Sequence, residues 1–474
     1  MHHPTADRPI EHPSGRFQTT CAFLTRLRAA QNAHTAPLHR FMYEHRPAKP
    51  RMPGIKNFPF LGPVGVMLSS CTMRFGPTFR SGRMRPADGP SNGSATLSRI
   101  RSLADYTTAM LESSFRKRQV IEPLTGTVAA SGNFVVDGAR IAADEINTNG
   151  GVIGRPLELV VEDNKSNPTE ASAVAEKLMV RDKVPVLMGA WGSTFTLAVM
   201  PKLMEYHVPM VVETSSSDKI TTSGNPWIFR SAPTSSMLAT AFEKYVDSFH
   251  IKKAAFLVVN NDWGVSNAKA FGDLLQKHGI QAVTRETMEA SAQDLGAQLS
   301  KIKASGADTL FITTEVEQLI LILKQAFALQ LPQKIIVASA SSSPDQLIQQ
   351  AGVPATNGTY YTLFFAPWFP ELAPNPEVVE KFIAEWKKRG YIFAGLTEGH
   401  RGYDGITTIA AAIKLAGKAE PTAIRDALWK VDVRGINSNI RFVKQGPAGQ
   451  ESGQNMANIY IVEIKNGQIV KPTF

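Results

Sequence analysis

From about residue 120 onward, two hydrophobic rhythms alternate along the chain. Short apolar runs at 184–190, 208–214, 254–260, 309–313 and 335–339 predict strands, and 3.6-residue periods at 171–181, 197–206, 268–278 and 318–329 predict helices between them. Several strands are apolar almost throughout, as parallel strands covered on both faces must be. The repeated strand–helix unit therefore predicts an α/β protein. One open sheet would struggle to absorb so many units, so two Rossmann-like lobes are expected. No stretch of this body reaches about 18 uninterrupted apolar residues, so no transmembrane helix is predicted in it.

The most informative segment is 123–164, PLTGTVAASGNFVVDGARIAADEINTNGGVIGRPLELVVEDN. It reads as a strand end, a small-residue loop, an amphipathic helix closed by Asn149-Gly150-Gly151, and a second strand from Leu157 to Asp163. Further on, Val208-Pro209-Met210-Val211-Val212 runs through a polar turn to Phe229-Arg230-Ser231-Ala232-Pro233. Tyr403-Asp404 later opens a helix through Ala410 to Gly417. In this order and spacing, these motifs resemble the branched-chain-amino-acid-type periplasmic solute-binding proteins of ABC transporters, the type I leucine/isoleucine/valine-binding family, over residues 119–474. The resemblance implies the type I fold, with two Rossmann-like lobes joined by a three-strand hinge and a ligand in the cleft. It implies a first lobe of 119–236 plus 363–433 and a second of 237–362 plus 434–474.

Charge separates this body from what precedes it. The formal net charge is +10, but residues 1–120 hold 18 of the 51 Lys+Arg and only 6 of the 41 Asp+Glu, leaving 33 against 35. The body thus has no whole-surface case for binding nucleic acid or membrane. Both cysteines, Cys21 and Cys71, lie in the leader, which excludes a disulfide framework, a cysteine nucleophile or a thiolate metal site from the body. The leader, taken as 1–118, is rich in Arg, Pro, Ser, Gly and His and reads as disordered. No secretory signal starts at Met1. A basic region and apolar run after Met52, ending in Leu68-Ser69-Ser70-Cys71, look like a lipoprotein signal with Cys71 lipidated; the other reading is an upstream extension from a misassigned start.

Open α/β sheets bind ligands beyond the carboxyl ends of their strands. Three such ends in the first lobe are small and polar. Ala190-Trp191-Gly192-Ser193-Thr194 opens a helix, where Ser193 would present a hydroxyl beside free N–H groups, or would serve only as a cap. Glu213-Thr214-Ser215-Ser216-Ser217-Asp218 is either a second contact or a solvated turn. Thr127 to Gly132 offers Ser131. The resemblance implies that Ser193 holds a ligand carboxylate, that Ser216 binds by its side chain and that Thr214 binds by its carbonyl. In the second lobe, Asn261-Asp262-Trp263-Gly264 stands where relatives have Asp-Tyr-Gly, so Trp263 would stack on a ligand, with Trp191 facing it, unless both are plain core. Glu315 follows the strand 309–313; it either pairs with a ligand ammonium or serves as a first-turn helix acid. Amino-acid-binding relatives place an acid after the strand 335–339, but this chain has Ala340-Ser341-Ser342-Ser343. An amide or an organic acid, aromatic ones included, therefore fits at least as well as an α-amino acid.

No Walker motif and no His-Glu-x-x-His occurs, and the cleft serines have no base at a motif-defined spacing. The expectation is a non-enzymatic receptor without cofactor or metal, working as a periplasmic or lipid-anchored monomer. Its expected partners are a small ligand and an ABC permease in the inner membrane. A ligand-sensing regulator on the same fold, like the amide sensors, is the alternative.

Overall fold

The computed structural model describes residues 117–340 and 343–473. The segment after Met52 and Cys71, the rest of the leader before Lys117, and Ser341 and Ser342 lie outside the described residues. Two seven-stranded sheets form the body. The chain builds most of the first with β1 (Lys117–Glu122), β2 (Glu158–Asp163), β3 (Leu187–Gly189), β4 (Met210–Val212) and β5 (Ile228–Arg230). It then builds the second with β6 (Lys253–Val259), β7 (Gln281–Met288), β8 (Thr309–Thr313), β9 (Lys334–Ala340) and β10 (Thr359–Leu363). A short ribbon of β11 (Val433–Arg434) and β12 (Asn439–Ile440) precedes β13 (Phe442–Gln445) and β14 (Ser452–Asn455), which return to the first sheet. β15 (Tyr460–Lys465) and β16 (Gln468–Val470) complete the second.

The longer helices are α1 (Ala129–Thr148), α2 (Pro168–Val180), α3 (Ser193–Tyr206), α4 (Ser235–Glu243), α5 (Asp262–Lys277) and α6 (Gly296–Ala304), followed by α7 (Val316–Ala328), α8 (Pro344–Ala351), α9 (Pro376–Lys388), α10 (Leu396–Ala416) and α11 (Pro421–Leu428). Among the described residues, no helix is long and apolar enough to cross a membrane.

Strand side chains alternate faces, so a sheet covered on both sides must be apolar at consecutive positions. β6 shows this directly. Ala255, Leu257 and Val259 join one core cluster with Leu310 and Leu319, while Ala254, Phe256 and Val258 join another with Phe242 and Phe271. The first sheet divides in the same way: Val120, Met188 and Val211 face α1 and α10, whereas Ile121, Leu187 and Val212 face α2 and α3.

Two apolar runs shrink on folding. The run 184–190 yields only Leu187–Gly189 and 208–214 only Met210–Val212. Pro185 and Pro209 stand at their starts, and a proline has no N–H for the ladder. Helices α3 and α5 instead begin earlier than their apolar period, at Ser193 and Asp262, because their first turns carry cleft-lining residues such as Ser193, Thr194 and Trp263 and not the repeat of the later turns.

The expected lobe boundary at residue 434 is displaced. β14 pairs in parallel with β5, Gly453 opposite Phe229, and β13 pairs with β14, so 442–455 belongs to the first sheet. Side chains reinforce this: Asn455 Nδ2 donates to the Ser231 carbonyl at 2.9 Å and Gln454 Nε2 to that of Ala232 at 2.8 Å. The chain thus passes between the sheets three times, after β5, after β10 and after β14.

Helices α1 and α10 meet with almost no space between their backbones. A Cβ on Gly138 would lie 1.7 Å from the Gly399 carbonyl oxygen, and one on Gly402 would lie 1.9 Å from that of Val135. Gly138→Ala is expected to lower stability by about 2 kcal/mol or more in urea unfolding of the full chain, even though alanine favours helix by about 1 kcal/mol.

Candidate functional site

Where the strands of the two sheets end toward each other, their loops enclose a cavity of about 180 Å³. The first lobe contributes Thr127 and Val128, Ser166, the run Trp191 to Phe195, and Thr214 to Ser216. The facing wall holds Asn261, Trp263, Ala290, Glu315, Ser339 and Phe364.

Ser193 is the first residue of α3, with Gly192 in the cap position, and its Oγ accepts from the Ser217 N–H at 3.1 Å. That bond leaves the hydroxyl proton to donate elsewhere. The first-turn N–H groups of a helix have no partner within it, so the α3 N-terminus offers donors and a positive dipole end to an anion. Thr214 and Ser216 follow β4 and are buried. Buried Arg230, brought alongside on β5, holds their loop by donating to the Ser215 and Ser217 carbonyls at 3.1 and 2.7 Å. Burial pulls its guanidinium down to about 9. Sequence reasoning had Arg230 only as part of a motif and missed this bracing role.

Trp263 lies in the first turn of α5, whose cap Asn261 accepts from the Gly264 N–H at 2.9 Å. Glu315 caps α7 instead of occupying its first turn; its carboxyl accepts from Thr314 Oγ1 at 3.2 Å and burial pushes it up. The structure thus brings Ser193, Ser216, Thr214, Trp191, Trp263 and Glu315 to one cavity. Ser131 is the exception. Because α1 begins at Ala129, Ser131 falls within its first turn and lines a separate, small crevice with Phe134, Glu317 and Glu398, while Thr127 and Val128 take the cavity wall. Ser166 and Phe364 were missed as well, although both follow strand ends, the same signal that flagged the others.

Comparison with known proteins bears on what such a cleft does. A periplasmic binding protein profile matches residues 120–468. The chain belongs to the periplasmic binding protein family. A leucine-, isoleucine-, valine-, threonine- and alanine-binding protein of Pseudomonas aeruginosa is 26% identical over 75% of this chain and 93% of its own length. A Leu/Ile/Val-binding protein of Rhizobium johnstonii is 29% identical over 71% and 89%. Among solved structures, a leucine-binding protein from Thermotoga maritima shares 25% identity, covers 76% of this chain and 98% of its own, and superposes with a TM-score of 0.66. A Rhodopseudomonas palustris solute-binding protein in complex with p-hydroxybenzoic acid shares the fold at 24% identity and a TM-score of 0.65. The two sheets of parallel strands flanked by helices are the type I fold of this family.

In this binding protein the lobes also touch at the cleft rim. Thr194 Oγ1 donates to Asp262 Oδ2 at 3.1 Å, Lys219 approaches Asp262 at 3.3 Å, and the Asp218 N–H donates to Ser266 Oγ at 3.1 Å. Asp262 is therefore occupied across the rim, and Glu213 is buried behind the cavity; neither stands ready for a ligand ammonium. The Lys219 pair is exposed and contributes little, so the Thr194 and Ser266 bonds carry the closure. Since these rim bonds form only when the lobes meet, Asp262→Ala is expected to weaken every ligand by a common factor of about five without changing their rank, as measured by calorimetric titration.

Beneath the first-lobe wall lies a set of buried charges. Burial pushes Glu122 well up, with the neighbouring Glu213 adding to it, and pushes Glu213 up as well. Burial raises Glu398 to about 7 against the opposing pull of Arg401, whose Nη1 lies 2.9 Å away. Asp404 reaches about 7 by burial although it accepts from the Ile436 and Asn437 N–H groups. An acid raised on folding keeps a proton that the unfolded chain has shed. The cost of Glu398 is thus absent below its ordinary 4.5 and complete above about 7, so its contribution to stability falls as pH rises between them.

Proposed function

We propose that this protein is the extracytoplasmic substrate-binding component of an ABC importer, and that its cleft takes a small carboxylate carrying a hydrogen-bond donor at its other end. The supporting observation is the distribution of charge in the cavity. Among the described residues, its lining includes no Lys, Arg or His, and Glu315 is the one carboxyl. A ligand carboxylate would be met by the Ser193 hydroxyl and the N-terminus of α3, which together receive an anion without a cation. On the opposite lobe Glu315 cannot stay both ionised and unpaired in so buried a place. The ligand must therefore offer it an ammonium or a hydroxyl, or leave it protonated.

Size narrows the choice. An apolar cavity of about 150 Å³ accommodates benzene, so about 180 Å³ suits a ligand of about seven to ten non-hydrogen atoms, with leucine and hydroxybenzoate at the upper end. Trp191, Trp263 and Phe364 supply flat apolar walls for either. The leucine-binding relatives favour the amino acid, with Glu315 taking the place of the acid that is missing after β9. Closure around the ligand would present the joined lobes, as a monomer in the periplasm or anchored to its membrane, to a permease. No observation favours the regulator on the same fold.

A thermal-shift screen of the full chain against L-leucine, L-phenylalanine, 4-hydroxybenzoate, acetamide and butyrate tests this. A panel member present at about 100 times its Kd adds about 2.7 kcal/mol to stability. Ser193→Ala is expected to abolish that shift for carboxylates; a fold that melts normally and responds to nothing in the panel refutes the ligand class. Glu315→Gln separates the two chemistries. A ligand ammonium loses about tenfold or more in affinity when its carboxylate partner becomes an amide, whereas a ligand hydroxyl loses little, because the amide oxygen still accepts.

A further inference from the structure

The ion pair under the cleft touches two of the aromatic walls of the cavity. Glu398 and Arg401, one turn apart on α10, are almost fully buried and 2.9 Å apart. From this pair Glu398 Oε2 accepts the indole N–H of Trp191 at 3.1 Å. The Arg401 guanidinium carbon lies over the Phe364 ring, 4.8 Å from its centroid. Trp191 belongs to the first lobe, while Phe364 stands on the crossing segment just after β10, and both line the ligand cavity. We propose that the Glu398–Arg401 pair is the positioning device of the cleft, setting the Trp191 and Phe364 walls from behind, and that the charge on Glu398 sets how firmly the ligand is held. The proposal rests on the receptor reading for its ligand but not for its geometry.

The local backbone shows why Trp191 needs such a grip. Its φ of 62° lies in the left-handed region, which a bulky side chain seldom adopts. Its carbonyl is pinned by the Ser215 hydroxyl at 2.8 Å, and that hydroxyl also contacts Thr196 Oγ1 at 2.8 Å. The Ala190 carbonyl receives Asn164 Nδ2 at 3.3 Å. Backbone bonds therefore fix where the residue sits, and the bond to Glu398 fixes how the indole is turned.

That bond is strongest when the acceptor is charged. The groups facing Glu398 are Arg401 on its own helix, Glu213 at the end of β4, Glu122 at the end of β1 and Glu317 in the first turn of α7. One guanidinium among three buried carboxyls, Glu398, Glu213 and Glu122, cannot keep all of them ionised, so a proton is shared within that group, while Glu317 is exposed. With Glu398 ionised, its carboxylate holds both the Trp191 indole and Arg401. With Glu398 protonated, the charge-assisted part of both contacts is lost and the wall loosens. Ligand should accordingly bind more tightly above neutrality than below it.

The test uses the full chain labelled with ¹⁵N-tryptophan, which has six indole signals to follow. The Trp191 signal is the one missing from Trp191→Phe. In the unmodified protein it is expected to move between pH 5.5 and 8.5 with a midpoint near 7, and to stay fixed in Glu398→Gln, which keeps an acceptor oxygen but cannot titrate. In parallel, the affinity for whichever of L-leucine or 4-hydroxybenzoate binds should be several-fold weaker at pH 5.5 than at 8.5, and level in Glu398→Gln. A Trp191 signal that does not move, or that moves equally in Glu398→Gln, overturns the proposal. So does an affinity that ignores pH while the signal titrates. If neither probe binds, the proposed choice of ligand fails, and the indole signal still decides whether Glu398 grips Trp191. A merely structural role for Glu398 would shift the melting temperature and leave the pH profiles of signal and affinity unchanged.

Discussion

The contact between α1 and α10 is the constraint on which the rest of this protein depends. Two glycines, Gly138 and Gly402, let the two backbones approach to a distance that a single methyl group would block, and Gly399 makes room for the Trp386 ring of α9 beside them. Helix α10 can then lie under the ends of β1 and β4 and carry Glu398, His400, Arg401 and Asp404 into the interior. With the helix held even slightly farther away, Glu398 would no longer reach the Trp191 indole, and Asp404 would no longer cap the segment at Ile436 and Asn437. A packing detail of one helix pair thus determines both the back wall of the ligand cavity and one tie of the hinge.

Polar bonds tie the hinge segments to one another, beside the apolar packing of Ala232, Phe364 and Phe365. Asn437 accepts from the Asn458 N–H at 2.8 Å and donates to the Phe364 carbonyl, and Asn455 reaches the Ser231 carbonyl, so side chains link all three crossing segments. Directional bonds of this kind keep the segments in register, whereas an apolar junction would constrain their direction less. The buried charges nearby work in the opposite sense. Carboxyls raised by burial cost stability, which is tolerated because the apolar clusters on both faces of each sheet are large.

The strand–helix alternation was legible because strands covered on both faces must be apolar at consecutive positions, and runs such as 254–260 show this without any knowledge of their neighbours. The polar loops after β3, β4, β6 and β8 were legible for a related reason. Small or polar residues directly after an apolar strand have few structural explanations in an open sheet, and Ser193, Thr214, Ser216 and Glu315 were marked by that position together with the family resemblance. Ser131 misled because a loop and a first helical turn have the same composition when both are built from Ala, Ser and Gly. Only the start of α1 at Ala129 tells them apart. Phe364 and Arg230 went unnoticed because an aromatic or a cation in an apolar stretch reads as core or as motif, and their roles come from partners far away in the chain.

What the sequence by itself determined is therefore local and periodic: the α/β class, the two lobes, and which strand ends are polar enough to meet a ligand. These follow from the spacing of apolar residues and from the backbone chemistry of short segments. Tertiary structure alone decided which residues meet across large separations. It returned 442–455 to the first sheet, joined Trp191 to Glu398 across 207 positions, and set Thr194 against Asp262 at the rim. The physical reason is that burial and hydrogen bonding in a folded chain depend on the approach of whole elements. That approach turns on a few atoms, such as the absent Cβ of Gly138, whose importance no periodicity reveals.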